Sequence, residues 1–207
     1  MSDDLRTRRR WDGTARFYDL LTYGAERRWG PAKTELFARM RPGGRILFAA
    51  LGTGLDIPFF PPDREIEAID ISPRMLERAR PRVERYPGRI RARQMDIHAL
   101  SFPDGHFDQV FTSCTFCSVP DPIRGLRSLH RVLRPGGALL MFEHTGSHYW
   151  PFNWLLDMCN PLCKSIGPEM NRDTVANVER AGFEIQKIDN LFLDVVKTIR
   201  ARKPDPE

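Results

Sequence analysis

From Arg45 onward the chain alternates short apolar runs with amphipathic stretches, and this rhythm confines it to a narrow set of folds. The apolar runs predict strands at Arg45 to Ala50, Glu65 to Ile69, Ile90 to Met95, Phe107 to Thr112 and Ala138 to Glu143. Between the second and third, Ser72-Pro73 supplies an N-cap and a first-turn proline ahead of an apolar face of Met75, Leu76, Ala79 and Val83. Asp121-Pro122 repeats the device ahead of Ile123, Leu126, Leu129 and Leu133, and a turn is expected at Pro135-Gly136-Gly137. Strands alternating with helices in this way form βαβ units and a mostly parallel sheet. Asp173 and Gly182 bracket a last short helix, and two runs near 184 to 191 and 194 to 201 are too close in sequence for a crossover, so they form an antiparallel hairpin. The expected fold is α/β, a doubly wound, mostly parallel, seven-stranded Rossmann-like sheet with a C-terminal antiparallel hairpin.

Residues 1 to 42 stand apart as a basic arm and helical cover, leaving 43 to 207 as the core. In the cover, Phe17, Leu20, Leu21, Trp29, Leu36, Phe37 and Met40 recur at helical spacing, and breaks near Gly24 and Gly30-Pro31 predict two helices. Within the core, the stretch from Gly146 to Arg172 departs from the alternation. It carries Tyr149, Trp150, Phe152, Trp154, Leu155, Leu156 and Met158, with prolines at 151, 161 and 168. An aromatic-rich insertion directly after a strand's C-terminal end lies where open α/β sheets bind ligands, and it also serves as a cover for the sheet edge.

With 207 residues the chain fits one domain that buries its own core. No run approaches the roughly 18 to 20 apolar residues of a spanning helix, and MSDDLRTRRRW lacks the apolar centre of a signal peptide, so a cytoplasmic location is expected. The net charge of +5 is localised: residues 1 to 45 hold eleven Lys or Arg against six Asp or Glu, and the rest of the chain carries twenty-one of each. An anionic surface is the partner such an arm suits, while a solvated arm that only aids solubility remains the alternative. Cys114-x2-Cys117 and Cys159-x3-Cys163 have the number of thiols for a zinc site, but the segment between the pairs lacks the turns of a zinc ribbon, and no metal is expected.

The first predicted strand runs into Ala50-Leu51-Gly52-Thr53-Gly54, a glycine turn that lets backbone approach a ligand. Such a turn is weak evidence alone. Asp70 strengthens it: it ends the next strand eighteen residues after Gly52, where a doubly wound fold places the carboxylate that takes both hydroxyls of a ribose. Asp96 ends the third strand at the neighbouring position on the same edge.

The succession GTG, AIDIS, MDIH, FDQVFTS and RVLRPGGALLMFEH resembles the class I S-adenosylmethionine (SAM) dependent methyltransferases, in particular the branch with ubiquinone and menaquinone methyltransferases, bacterial phospholipid N-methyltransferases and membrane-associated thiol methyltransferases. The resemblance implies SAM as cofactor over residues 15 to 200. Gly52, Thr53 and Gly54 would line its methionine part, Asp70 with Ile71 and Met75 would hold the ribose, Asp96 and Ile97 would contact the adenine, and Ser113 and Cys114 would face the sulfonium. Two positions depart from the family: Phe48 stands where an acid is usual, and Ala50 where the first glycine is. The missing carboxylate removes a partner of the cofactor's amino group, so SAM binds weakly or another anchor is used. Ala50 is tolerable only if the turn keeps φ negative.

Methyl transfer from a sulfonium is an in-line displacement that needs alignment and exclusion of water, with a base only where the acceptor must lose a proton. Tyr18 and Tyr23 in the helical cover, the first in a Tyr-Asp pair that commonly closes over SAM in the family, and Glu143-His144 at the end of the fifth strand are the candidates to orient or deprotonate the acceptor. The leading expectation is methylation of a lipophilic, membrane-associated acceptor, best the amine of phosphatidylethanolamine, by a peripheral cytoplasmic enzyme whose basic N-terminus meets anionic lipid. A soluble quinone-like ring or thiol is the alternative acceptor, and a non-catalytic SAM-fold protein that binds membrane or nucleic acid is the alternative of another class. Without an RNP-like aromatic motif or an appended RNA-binding module, no nucleic-acid partner is expected.

Overall fold

In a computed structural model, which describes residues 3 to 154, 156 to 158, 169 and 171 to 206, the chain forms a seven-stranded sheet flanked by helices. The strands are β1 (Ile46–Ala49), β2 (Glu65–Asp70), β3 (Arg89–Gln94), β4 (Phe107–Ser113), β5 (Leu133–His144), β6 (Glu184–Phe192) and β7 (Val196–Arg202). Their order is β3-β2-β1-β4-β5-β7-β6, with the first five parallel and β7 antiparallel to both neighbours. The chain reverses its direction of travel across the sheet between β1 and β4, and a crevice opens at the C-terminal ends of strands on either side of such a reversal.

Two-residue periodicity sorts the core into two layers. Ile46 and Phe48 of β1, Phe111 of β4 and Leu140 and Phe142 of β5 face α2 (Tyr18–Phe37) and α3 (Pro73–Arg85). The alternate residues, Leu47, Ala49, Val110, Leu139 and Met141, face α4 (Pro122–Val132) and α5 (Thr174–Arg180). The predicted caps form as expected: Ser72 Oγ accepts from Met75 N, Asp121 from Arg124 N and Asp173 from Ala176 N, at 3.1, 2.9 and 3.0 Å. Gly182 follows α5 with φ at +96°, as a helix-ending glycine should.

Three local expectations are corrected. The helical cover does not break at Gly24 or at Gly30-Pro31, because α2 runs unbroken through both, and the break lies at residues 15 to 17. Packing overrides propensity here: a Cβ on Gly30 would come within 3.0 Å of the Phe59 ring, so the glycine lets α2 seat closely on the 3-10 turn at Ile57–Phe59. Residues upstream of that break are not a free arm, since they form α1 (Asp3–Thr14). Finally, Pro135-Gly136-Gly137 does not separate helix from strand. It is a bulge within β5, whose partners on β4 advance from Phe107 to Gln109 while β5 advances from Leu133 to Ala138.

Candidate active site

The crevice at the β1/β4 reversal is a cleft of about 710 Å3, open mouth included. Loops from four consecutive strand ends build its floor: Ala50 and Gly52 after β1, Asp70 and Ile71 ending β2, Asp96 and Ile97 after β3, and Ser113 and Cys114 ending β4. Met75 of α3 lines it as well. Eight of the ten residues expected to hold the cofactor therefore converge on one cavity. Thr53 and Gly54 do not line it. Thr53 Oγ1 instead donates to Asp19 at 2.5 Å, and a Cβ on Gly54 would approach Ile57 to 2.9 Å, so both shape the turn from behind.

Asp70 organises that turn. One carboxylate oxygen accepts from Gly52 N at 2.7 Å and the other from Ser72 N at 2.8 Å. Asp70 lines the cleft, and each oxygen has acceptor capacity beyond its one backbone bond, as a pair of vicinal hydroxyls requires. Burial pushes the carboxyl up to about 6, with the two backbone N–H groups pulling the other way. The turn also holds Ala50 at φ +63°, which contradicts the requirement for negative φ placed on it by its sequence context. Leu51 N bonds Ile69 O at 2.8 Å and, with the Gly52–Asp70 bond, pins the backbone in this left-handed state.

At the far end of the cleft Asp96 Oδ1 accepts from His98 N at 2.8 Å. His98 Nδ1 lies 3.0 Å from carboxylate oxygens of both Asp96 and Asp4, and its Nε2 is 3.0 Å from Asp121 O. The hydrogen bond from His98 holds the Asp96 carboxyl below its ordinary range. Burial disfavours the charged ring of His98, but Asp96 and the other acceptors outweigh it and raise the imidazole.

Of the roof, Tyr18 was expected from the sequence and the part contributed by α1 was not. Thr7 and Trp11 of α1 and Tyr18 of α2 line the cavity, with Trp11 and Tyr18 edge to face at 6.0 Å. Asp12 fastens α1 to the core by accepting from Ser72 Oγ at 2.6 Å, and Asp4 meets His98 at its other end. At the start of α2, Asp19 pairs with Arg82 at 2.7 Å, and Arg82 also donates to Thr53 O at 2.9 Å.

Of the residues expected to act on the acceptor, Tyr18 alone lines the cleft. Burial, with Cys114 and Asp56 nearby, holds its phenol well above the ordinary range, so it is a neutral donor. Glu143 is fully buried beneath the floor: it accepts from Thr112 Oγ1 and Thr115 N at 3.0 and 3.2 Å through one oxygen, and from Phe116 N at 3.2 Å through the other. That grip sets the turn carrying Ser113 and Cys114, and burial lifts the carboxyl to about 7. His144 pairs with Val196 across the sheet and lies outside the cleft lining, with a buried Nδ1 that meets no hydrogen-bond partner among the described residues and a ring that burial pushes below its usual range. Cys114 opens to the cleft, yet the protein around it, with Cys117 and Glu143 close, keeps its thiol protonated well above its ordinary range. Cys159 and Cys163 lie outside the described residues.

A methyltransferase domain family model matches residues 49–141. Human thiol S-methyltransferase TMT1B is 32% identical over 186 residues, covering 81% of this chain and 74% of that protein. The ubiquinone/menaquinone biosynthesis C-methyltransferase UbiE of Ectopseudomonas mendocina is 38% identical over 212 residues, covering 90% and 82%. A phosphatidylethanolamine N-methyltransferase of Cereibacter sphaeroides is 39% identical over 105 residues, about half of each chain. The buried Asp70 between two strand-end N–H groups, the open glycine turn beside it and Asp96 at the far end suit a nucleoside bearing a charged thioether. The chain belongs to the class I SAM-dependent methyltransferases, and SAM is its methyl donor.

Proposed function

We propose that this methyltransferase acts on a lipophilic acceptor at a membrane surface, and that the acceptor is the amine of phosphatidylethanolamine. The observation that carries the reading is where the exposed apolar side chains lie. Phe17, Leu20 and Leu21 flank Tyr18 at the roof, Tyr149, Trp150 and Trp154 follow the C-terminal end of β5, and Leu193 tips the β6–β7 turn. Leu20 and Trp150 are 79% and 81% exposed. Asp194 ties the last two groups together, accepting from Ser147 Oγ and His148 N at 2.5 and 2.6 Å. All three groups therefore fringe the sheet edge that bears the cleft. Arginines lie over this apolar fringe: Arg16 over Phe17 at 5.6 Å, and Arg28 over Trp29 and Phe192, each at 5.0 Å. Aromatic side chains with guanidinium heads among them suit the boundary of an anionic leaflet. No helix of the described residues is long and apolar enough to cross a membrane.

When bound, the cofactor supplies an electrophilic methyl on a sulfonium. The chain holds the adenosine part through Asp70 and Asp96, closes α1 over it, and presents the neutral Tyr18 hydroxyl to orient the acceptor. Cys114, kept as a thiol, does not compete as a nucleophile. A second reading, a quinone-like ring or a thiol as acceptor, is supported by relatives that share most of their length with this chain, among them a thiol methyltransferase and a quinone methyltransferase.

Sedimentation with vesicles tests the surface, using a Leu20→Glu, Leu21→Glu, Trp150→Glu variant. The unmodified chain should sediment with anionic vesicles and be released by salt, and the variant should stay in solution. Vesicle lipids recovered after incubation with methyl-labelled SAM should include phosphatidylethanolamine heavier by one or more methyl groups. If the unmodified chain ignores anionic vesicles at low salt, the membrane reading falls and a soluble acceptor replaces it. Labelled quinone or thiol with unlabelled lipid would retain the enzyme and remove the lipid amine.

A further inference from the structure

Beside the reacting end of the cleft lies a buried cluster that the reading above leaves unused. Lys33 of α2 is buried, and its Nζ donates to both oxygens of Glu26 at 2.8 Å and meets Asp56 Oδ1 at 2.8 Å. Asp56 Oδ1 also accepts from Ser113 Oγ at 3.3 Å, and Ser113 lines the cleft next to Cys114 and Tyr18. One ammonium between two carboxylates leaves a net charge of −1 with little water to screen it. Burial and the nearness of Asp56 raise the Glu26 carboxyl, as expected of an anionic cluster short of one positive charge. Among the described residues no hydrogen bond reaches Asp56 Oδ2, so the carboxylate has acceptor capacity to spare.

The missing charge has a natural source. Position 48, at which the family usually carries an acid, is Phe48, wholly buried with its ring centroid 4.9 Å from that of Phe60 and 5.7 Å from that of Phe37. The end of β1 thus offers the cofactor's amino group no carboxylate. Asp56, two residues past Gly54, is not itself part of the cleft lining but touches it through Ser113, whose hydroxyl donates to Oδ1. We propose that Asp56 receives the α-ammonium of the cofactor in place of the acid absent from position 48. Lys33 is a positioning residue: it holds Oδ1, leaving Oδ2 for the ligand. The proposal rests on the cofactor assignment and is independent of the acceptor.

The test compares three ligands by calorimetric titration: SAM, its demethylated product S-adenosylhomocysteine, and 5′-methylthioadenosine, which keeps the nucleoside and lacks the amino acid. Binding of SAM by the unmodified chain is the control for the cofactor assignment, and the proposal is read from the ratios among ligands. In Asp56→Asn, SAM and S-adenosylhomocysteine should each weaken by roughly 10- to 100-fold, the range for a lost charge-assisted hydrogen bond, while methylthioadenosine binds as before. Unchanged SAM affinity, or equal weakening of all three ligands, would overturn the assignment. If Asp56→Asn binds none of them because the turn has collapsed, Asp56→Glu decides. With the charge retained, its preference for S-adenosylhomocysteine over methylthioadenosine should persist, and loss of that preference in a variant that still binds methylthioadenosine at the unmodified affinity refutes the role. Failure of Asp56→Glu to bind methylthioadenosine also counts against the proposal, since it makes Asp56 a support of the turn.

Discussion

Replacing Ala50 with glycine should stabilise this protein, although it removes a side chain. Ala50 sits at φ +63°, and a left-handed conformation costs an L-residue roughly 1 to 2 kcal/mol that glycine does not incur. Against this, glycine loses more freedom on folding, worth about 0.4 to 1 kcal/mol. The difference leaves about 0.5 to 1 kcal/mol in favour of glycine, which for a chain of this size is an increase of about 1 to 4 °C in Tm. The opposite substitution sharpens the test: Ala50→Val places a β-branched residue at positive φ and should lower Tm by more than glycine raises it. The bonds from Leu51 N to Ile69 O and from Gly52 N to Asp70 hold the turn against relaxation. Thermal unfolding of both variants without cofactor decides the matter, and SAM should bind the glycine variant at least as tightly. A lower Tm for Ala50→Gly with Ala50→Val unchanged would refute the reasoning, because it would mean that the turn has negative φ in solution.

Asp70 must be ionised to accept two hydroxyls, and its carboxyl lies near 6, so SAM affinity should be level above pH 7 and fall as pH drops through 6; calorimetry across that range should show the fall, and Asp70→Asn should bind weakly at every pH. Glu143 has a folded-state pKa of about 7, above its ordinary value, so its contribution to stability is complete below about 4.5 and is lost as pH rises to 7. Unfolding midpoints at pH 5, 6, 7 and 8 should therefore decline less in Glu143→Gln than in the unmodified chain, and equal declines would show that Glu143 is ionised throughout.

The sheet and the cofactor floor were legible because each rests on local chemistry. Ser72-Pro73 and Asp121-Pro122 cap helices wherever they stand before an apolar face, and Asp70 and Asp96 fall at strand ends that periodicity alone locates. What was hidden depends on partners distant in sequence. Asp12 and Asp4 order α1 through Ser72 and His98, about sixty and ninety residues away, and nothing in a basic N-terminal stretch announces such partners. Pro31 reads as a helix breaker until Phe59 is placed against Gly30. Glu143 and His144 stand at the same sheet edge as the residues that line the cleft, but the first lies beneath the turn after β4, and neither lines the cleft. Lys33, Glu26 and Asp56 come from separate turns of chain, and no count of composition shows that their charges meet in one buried place.

The roof has a kinetic consequence. Thr7 and Trp11 complete the cavity wall, so a swing of α1 about residues 15 to 17 would widen the mouth through which spent and fresh cofactor exchange. Each swing breaks the Asp12–Ser72 and Asp4–His98 contacts and remakes them. An acceptor that takes one methyl group requires a single exchange of cofactor, whereas an amine carried to its quaternary form requires one for every methyl added. Where that exchange needs α1 to move, the rate of its opening sets an upper limit on how fast successive methylations proceed.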